Sequence, residues 1–334
     1  MGGHAAGKLS AAELEAAFDE AVRDTMKRFE EAGERIVTDG EQRKPSFATY
    51  PIAGVASLAP GGVTIPFADG HTRQLPALTA GPFRYRTYAA TYLAAARPHT
   101  QRPIKQAVIS ASALSLLYPA DPLPGYDRDT FTADLIDEAE QDIRRSLDGG
   151  AHVVQIDFTE ARLSLKLDPS GGLLRQFVEL NNLVLARFTA DDRKRLGVHT
   201  CPGGDQDSTH SADIDYAGLL PTLFQLQVGN FYVQLASERD RPRVLEMLGQ
   251  LAGDGRRVFV GVTDPIDPRI ESADEVEARV IEAARFIDPA WLGTTDDCGF
   301  APFGDDTSTS RDTAFAKIRA SVEGTSRASR SLGV

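Results

Sequence analysis

The sequence predicts an α/β fold, a (β/α)8 barrel of the TIM type, because short apolar runs alternate with amphipathic helical patterns along its 334 residues. Parallel strands that helices cover on both faces are apolar along their whole length, and the predicted strands have this character. Reactive and polar residues recur directly after these runs, where barrels of this type build their active sites. The predicted strands are 35–38, 104–110, 152–157, 197–200, 230–234, 258–262 and 292–295.

These seven strands are one short of a closed eight-stranded barrel, and the chain opens with a helical pattern. The first strand is therefore expected upstream of that helix or is missing from this chain. A closed barrel is favoured over an open Rossmann sheet, since no G-x-G-x-x-G loop follows the first predicted strand. We expect a single catalytic domain over residues 1–334, with an irregular Pro- and Gly-rich insertion at about 45–82 that covers the barrel mouth.

Amphipathic stretches between the strands predict the helices that cover the sheet. Ser10 with Glu13, and Ser272 with Glu275, have the spacing of a capping box, in which each side chain bonds the backbone of the other residue where a helix begins. The predicted helices are 11–32, 85–96, 128–148, 172–188, 216–226, 240–251, 273–286 and 311–323.

The charge balance excludes several classes of partner. A formal net charge of -12 and a pI near 5.0 disfavour nucleic acid and anionic membranes, which attract basic surfaces. No apolar run approaches the roughly 20 residues that span a bilayer, and no signal peptide opens the chain. We therefore expect a cytoplasmic protein without a nucleic-acid or membrane partner.

The two cysteines, Cys201 and Cys298, are candidates for a metal site. Cys201 lies two residues after His199, so both side chains point the same way in an extended segment. Both cysteines follow predicted strands whose ends converge on one barrel mouth, and imidazole together with thiolates suits zinc. A disulfide is disfavoured in the reducing cytosol, and a pair of inert buried cysteines is the other interpretation.

The residues around Cys298 carry a family resemblance. Residues 294–300 read Thr-Thr-Asp-Asp-Cys-Gly-Phe and residues 314–318 read Ala-Phe-Ala-Lys-Ile, which resembles the C-terminal signature of cobalamin-independent methionine synthase. The His199-x-Cys segment and Gln-Ile-Asp at 155–157 resemble the same family. The likeness covers nearly the whole chain as the catalytic zinc barrel, without the family's N-terminal half.

The resemblance implies a zinc-dependent methyltransferase. It implies that zinc is held by His199, Cys201, Cys298 and an acidic residue, and that a thiol joins the zinc as a thiolate and attacks a methyl group. It also implies that Glu41 and Asp157 bind the amino group of homocysteine, a role that suits carboxylates. A solvated loop position or a helix-cap contact is the other interpretation of these two acids.

The sequence departs from the family at two positions. Gln234 stands where the family's glutamate zinc ligand is expected, so Gln234 ligates weakly, or Glu238 replaces it, or the zinc keeps an open position. The family also has a histidine near Ile266 that assists proton delivery, whereas Asp264 and Asp267 are the only acid–base groups in this loop. Both aspartates equally suit a turn beside the two prolines of the loop.

These features favour a zinc-dependent thiol methyl- or alkyltransferase that acts on a small-molecule thiol and a methyl donor. The departures leave the donor open between a folate and a methyl-corrinoid, the latter delivered by a corrinoid protein. A zinc-dependent lyase or hydrolase is the alternative, with water on the zinc and Asp264 or Glu238 as the base. A non-catalytic zinc barrel that binds a thiol is a third hypothesis.

Four further polar residues have less definite predicted roles. His210, behind the zinc segment, is a candidate substrate contact, although a surface histidine is the more common case. His71 and Arg73 lie in the insertion, from which they can reach the mouth. Lys105 starts a strand and is expected to face solvent at the bottom of the barrel.

Overall fold

The computed structural model describes residues 9–334, and its centre is a six-stranded parallel sheet. In chain order the strands are β1 (Leu58–Ala59), β2 (Thr64–Pro66), β3 (Thr72–Gln74), β4 (Ala77–Leu78), β5 (Lys105–Ile109), β6 (Val153–Asp157), β7 (Leu196–Thr200), β8 (Gly204–Asp205), β9 (Ser208–Thr209), β10 (Asn230–Val233), β11 (Arg257–Thr263) and β12 (Leu292–Asp296). The order within the central sheet is β5, β6, β7, β10, β11, β12. Six of the predicted strands are thus confirmed to within one residue at each end. The further strand expected upstream falls outside the described residues.

The seventh predicted strand, 35–38, is reduced to a single parallel bridge at the β5 edge of the sheet. Val37 bridges Ile104, and its N–H and carbonyl each make a backbone hydrogen bond of 2.9 Å to the neighbours of that residue. The chain turns away directly afterwards, because the Thr38 hydroxyl accepts a hydrogen bond from the backbone N–H of Gly40. The segment therefore occupies the predicted place in the barrel wall over a shorter length.

Helices lie between successive strands of the sheet, and each of the eight predicted helices is present within residues 9–334. Three short helices, Ala111–Ser115, Glu160–Leu167 and Ala190–Arg193, were not predicted, and the last helix extends beyond its predicted end at residue 323. None of the helices in this range is long and apolar enough to cross a membrane. In chain order they are α1 (Ala11–Ala32), α2 (Ala90–Ala96), α3 (Ala111–Ser115), α4 (Arg128–Asp148), α5 (Glu160–Leu167), α6 (Gly172–Leu185), α7 (Ala190–Arg193), α8 (Tyr216–Leu223), α9 (Arg241–Leu251), α10 (Ala273–Ala283) and α11 (Arg311–Leu332).

Both predicted capping boxes are present. The Ser10 hydroxyl accepts from the backbone N–H of Glu13, whose carboxylate accepts from the Ser10 N–H, and Ser272 and Glu275 repeat this exchange at α10. The exchange satisfies backbone donors that have no partner within the helix, which fixes where α1 and α10 begin.

Helix α2 begins later than its predicted start at residue 85. The backbone N–H groups of Tyr85 and Ala89 donate to the carboxylates of Glu138 and Asp142, at 3.1 and 2.6 Å. These bonds hold the segment in an irregular conformation against α4, so the local helical pattern is overridden by long-range contacts.

The ring of helices closes where α1 meets α11. Phe29 and Phe315 pack edge to face, with ring centroids 5.3 Å apart. Ser46, nine residues after the bridge at Val37, forms an antiparallel bridge with Phe303, which follows β12. The first and last described segments of the chain are therefore neighbours, as a closed barrel requires.

The insertion at 45–82 contains two small antiparallel pairs, β1 with β4 and β2 with β3, and is not wholly irregular. The backbone N–H of Ala68 donates to the Thr209 carbonyl at 2.9 Å, beside β9. The insertion thus contacts the loop that follows β7. The extent of the domain over residues 1–334 stays a prediction.

Lys105 points into the barrel, and the prediction that it faces solvent is wrong. Its Nζ donates to Gln155 Oε1 at 2.9 Å and lies 4.3 Å from the ring centre of Tyr232. Lys105 is the first residue of β5, whereas Gln155 and Tyr232 are the third residues of β6 and β10, and all three side chains point to the interior of the barrel. The amide and the aromatic ring give the half-buried cation partners that the local sequence does not reveal.

Replacing Phe315 with alanine is expected to lower the free energy of unfolding by about 3–5 kcal/mol, because it removes a buried ring from the α1–α11 contact. Phe286→Ala removes the same side chain where it is 40 % exposed, and we expect a loss below about 1 kcal/mol. Urea unfolding followed by circular dichroism measures both. Equal losses would show that the α1–α11 contact is not a major source of stability.

Candidate metal centre

Strand β7 brings His199 and Cys201 to the mouth of the barrel. Both residues are buried, with His199 in the strand and Cys201 directly after it. The loop then turns at Gly203, where φ is +72° and a Cβ atom would overlap the ring of His210. The hydroxyl of Ser211 lies 2.9 Å from His210 Nδ1 and donates to a carbonyl of the same loop at 3.0 Å. His210, a predicted substrate contact, therefore supports the metal-bearing loop from behind.

Cys298 is positioned by its neighbour Asp297. The buried Asp297 carboxylate accepts from the backbone N–H groups of Leu235 and Ala236 at 2.8 Å, and from both the N–H and the hydroxyl of Ser237 at 2.7 Å. Burial raises the pKa of Asp297 to about 6, although the hydrogen bonds favour the charged carboxylate. The end of β12 is thereby tied to the loop after β10.

The nitrogen and sulfur atoms of His199, Cys201 and Cys298 form one group. The three ligand atoms all lie within 4.8 Å of one another, and the two Sγ atoms are 2.8 Å apart without a disulfide. The prediction that these side chains meet is confirmed. Hydrogen bonds from Cys201 and His199 hold the pKa of Cys298 well below its usual value. The hydrogen bond between the two sulfurs raises the pKa of Cys201.

This set of donors fits a zinc ion. Two sulfurs and one imidazole nitrogen are soft and borderline ligands of the kind that zinc prefers. Two sulfur atoms at 2.8 Å need a shared proton or a cation to offset their repulsion. No carboxylate of residues 9–334 joins the group.

Two predicted substrate carboxylates, Asp157 and Glu41, lie near His199. Asp157 is directly opposite His199 in the β6–β7 register, and its Oδ1 accepts from Gln155 Nε2 at 2.8 Å. Burial and the charge of Glu41 raise the pKa of Asp157 to about 6. Glu41 Oε1 accepts from the buried Lys44 Nζ at 2.6 Å. The structure therefore brings both carboxylates to the side of the mouth that carries the histidine.

Gln234 and Glu238 contact the buried guanidinium of Arg162. Arg162 Nη1 donates to Gln234 Oε1 at 2.9 Å and to Glu238 Oε1 at 2.7 Å. Gln234 Nε2 in turn donates to Glu238 Oε1 at 2.8 Å and to Ser237 Oγ at 2.9 Å. The oxygen and the nitrogen of the Gln234 amide are thus engaged with protein groups.

Asp264 and Asp267 adopt the geometry of turns. Asp264 Oδ1 accepts from the Ile266 N–H at 3.0 Å, and Asp267 Oδ1 accepts from the Arg269 N–H at 2.9 Å. A Cβ atom at Gly204 would lie 3.2 Å from the Ile266 side chain, so this loop borders the metal-bearing loop. Burial raises the pKa of Asp264.

The insertion reaches the mouth through His71 and Arg73. Arg73 forms ion pairs with Asp205, which follows Cys201, and with Asp305, which follows β12. His71 Nε2 lies 3.1 Å from Asp205 Oδ2. One arginine therefore links the insertion to both loops that supply sulfur.

Comparison with known proteins identifies the family. The family described as "Cobalamin-independent synthase, Catalytic domain" matches residues 3–324. The chain belongs to this family. Methionine synthases of Pyrococcus abyssi and Saccharolobus islandicus are 21 % and 24 % identical to it over 291 and 322 residues, which is 84 % and 96 % of this chain and 77 % and 87 % of the relatives.

Solved structures described as B12-independent methionine synthases share the fold. The structure from Shewanella sp. W3-18-1, in complex with selenomethionine, has a TM-score of 0.77 at 19 % identity and covers 97 % of this chain and 91 % of its own. A putative enzyme from Listeria monocytogenes has a TM-score of 0.69 at 20 % identity and covers 96 % and 90 %. These likenesses confirm the predicted barrel fold.

Membership of the cobalamin-independent synthase family confirms the resemblance carried by residues 294–300. Three residues that shape the centre are not among the predicted ligands and substrate contacts: Arg162, Asp297 and Lys44. For Asp297 the available signal was its position beside Cys298, and for Lys44 it was its position three residues after Glu41. The partners of Arg162 could not be predicted, because they lie 50 or more residues away in sequence.

Gly261→Ala is expected to weaken metal binding by about 10- to 100-fold. The added Cβ would lie 1.6 Å from Asp297 Oδ1, so the carboxylate that positions Cys298 must move. Gly299→Ala, next to Cys298 but with open space at its Cβ, is the matched control and should bind metal normally. Competition titration with a chromophoric zinc chelator measures both variants. Equal affinities would exclude the positioning role of Asp297.

A buried acid near the site, Glu160, gives a pH-dependent contribution to stability. Its Oε1 accepts from the hydroxyls of Ser110 and Ser112 at 2.5 Å, and its Oε2 has no hydrogen-bond partner within residues 9–334. Burial raises the pKa of Glu160 to about 7 from the usual 4.5. The stabilising effect of the bound proton is therefore complete below pH 4.5 and declines as the pH rises to about 7.

Glu160→Gln should remove this decline, because an amide does not ionise. The variant is expected to gain stability relative to the unmodified chain by up to about 3 kcal/mol between pH 4.5 and 7, as urea unfolding at several pH values will show. Glu179→Gln, the same change on an exposed helix position, should have no such effect. A difference between Glu160→Gln and the unmodified chain that stays constant with pH would contradict the assignment.

Proposed function

We propose that this chain is a zinc-dependent thiol methyl- or alkyltransferase that resembles methionine synthase, with residues 1–334 forming one catalytic barrel domain. The observation that carries the proposal is the buried group of His199, Cys201 and Cys298 in a member of the cobalamin-independent synthase family. These three side chains would hold the ion. Zinc in that place lowers the pKa of a bound thiol, so that a thiolate nucleophile is present at neutral pH.

The thiol substrate would be homocysteine or a related aminothiol. Asp157 and Glu41 would bind its ammonium group, because both carboxylates lie on the His199 side of the mouth. Lys44 engages one oxygen of Glu41 and fixes the orientation of that carboxylate. Gln234 and His210 are the remaining candidate contacts, at the edge of the site.

The methyl donor would be a folate or a methyl-corrinoid that a corrinoid protein delivers. The bond between the methyl group and its carrier breaks as the sulfur–methyl bond forms, and the carrier then takes up a proton where its chemistry requires one. Asp264 is the better candidate to supply that proton, since it is partly buried with a raised pKa and its loop borders the metal-bearing loop. The Asp267 side chain is 37 % exposed and forms a 3.5 Å ion pair with Arg269, so an assisting role suits it.

The contacts of the acidic residues favour alkyl transfer over the zinc lyase or hydrolase alternative. A hydrolase needs a base that can take a proton from water. Glu238 accepts hydrogen bonds from Arg162 and Gln234, so it is not arranged as a free base. Asp264 suits the role of an acid in the transfer, because burial raises its pKa and favours the protonated form.

Turnover should require both metal and thiol. We expect zinc-loaded protein incubated with homocysteine and either methylfolate or methylcobalamin to form a thioether that mass spectrometry detects. Chelation should abolish the product and zinc should restore it, while Cys298→Ser should lower the rate by at least about 100-fold, beyond the usual cost of changing a residue that only supports a ligand. Turnover without any added thiol, or product formation by the chelated protein, would refute the proposal.

A further inference from the structure

The buried guanidinium of Arg162, on α5, forms hydrogen bonds with the loops that follow β7 and β10. The side chain is 2 % exposed, and each of its nitrogens donates a hydrogen bond. Besides Gln234 and Glu238 it bonds the carbonyl of Ala212 at 3.0 Å and that of Ile214 at 3.1 Å. A cation held by backbone carbonyls on one side presents its remaining donors in a fixed direction.

The amide of Gln234 is oriented by these contacts. Its oxygen faces the Arg162 donor and its nitrogen faces the carboxylate of Glu238 and the hydroxyl of Ser237. The opposite orientation would place an N–H group against the guanidinium and an oxygen against a carboxylate, which is unfavourable on both sides. Gln234 Oε1, the atom of this side chain that could ligate a metal, is therefore hydrogen-bonded to the buried Arg162 guanidinium.

The carboxylate of Glu238 is likewise bonded to protein groups. Its Oε1 accepts from Arg162 at 2.7 Å and from Gln234 at 2.8 Å, and its side chain is 12 % exposed. Moving it to a metal would separate a buried ion pair and leave the guanidinium uncompensated, which is strongly unfavourable. Glu238 does not belong to the group of metal-binding atoms found within residues 9–334.

We propose that Arg162 is a positioning residue that holds Gln234 and Glu238 away from the metal, so that the protein supplies three ligands only. This inference rests on the proposed function for the identity of the metal and for the role of the remaining position, which the thiol substrate takes. Two thiolates balance the charge of a divalent ion, so the centre is neutral before substrate binds. A neutral centre attracts an anionic sulfur more strongly than one that also carries a carboxylate.

Cobalt(II) in place of zinc tests the ligand count without any methyl donor. The sulfur-to-cobalt absorption reports the number of bound sulfurs, and X-ray absorption of the zinc form reports nitrogen and oxygen ligands. Gln234→Leu and Glu238→Gln should each leave the cobalt spectrum unchanged and the metal affinity within about threefold, below the tenfold loss typical of disturbed metal sites. His199→Ala is the control for a true ligand and should change the spectrum and weaken binding by more than about 100-fold.

Arg162→Lys tests the positioning role, since lysine cannot bond both side chains and both carbonyls in one plane. In the folded variant we expect an added oxygen ligand in the X-ray absorption spectrum and at least about tenfold weaker binding of homocysteine. An unchanged spectrum and thiol affinity in Arg162→Lys would overturn the positioning role. If Arg162→Lys does not fold, Gln234→Leu and Glu238→Gln still decide the number of protein ligands. A loss of metal affinity above tenfold in either variant, together with an altered cobalt spectrum, would identify a fourth protein ligand and overturn the inference.

The two proposals fail in distinguishable ways. A three-ligand cobalt spectrum that does not respond to homocysteine would refute the thiol substrate and leave the role of Arg162 intact. A four-ligand spectrum in a protein that still forms the thioether would refute the role of Arg162 alone.

Discussion

The candidate centre depends on two sulfur atoms from distant parts of the chain being held 2.8 Å apart at a buried mouth. The barrel brings them near one another, because parallel strands end on the same side. The final approach comes from local contacts, namely the turn at Gly203 and the four hydrogen bonds that Asp297 accepts. The N–H of Gly203 also donates to Cys201 Sγ at 3.4 Å, so contacts within the protein set the positions of the ligands.

Both candidate substrate carboxylates around this centre are linked to lysines. Lys44 bonds Glu41 within the loop that follows residues 35–38. Lys105 on β5 reaches Asp157 on β6 through Gln155, whose oxygen accepts from the lysine while its nitrogen donates to the aspartate. The orientation of the amide is fixed by these neighbours. Because burial raises the pKa of Asp157 to about 6, a cation linked to it in this way favours the carboxylate that an ammonium group needs.

The sequence predicts those features that local pattern determines. The apolar runs place six strands, Ser10 and Ser272 start their helices through capping boxes, and the two cysteines with His199 predict one metal site. The inward direction of Lys105 could not be predicted, because its partners Gln155 and Tyr232 come from other strands. A lysine at a strand start is usually solvated, and only the register of the assembled sheet reveals the interior that accepts it.

The glutamine at position 234 and the arginine at position 162 are best understood together. Arg162 already has one anionic partner, Glu238, and the rest of its donors bond neutral oxygens. A glutamate in place of Gln234 would add a second carboxylate to this buried cluster, in contact with the first, and either the guanidinium or the metal would have to compensate it. A neutral amide accepts a hydrogen bond from the same donor without adding a charge. The charges of Arg162 and Glu238 then compensate each other, and no metal ion is needed to neutralise the cluster. The departure expected at this position therefore fits the proposed centre, in which a buried ion pair, and not a fourth metal ligand, fixes the end of β10.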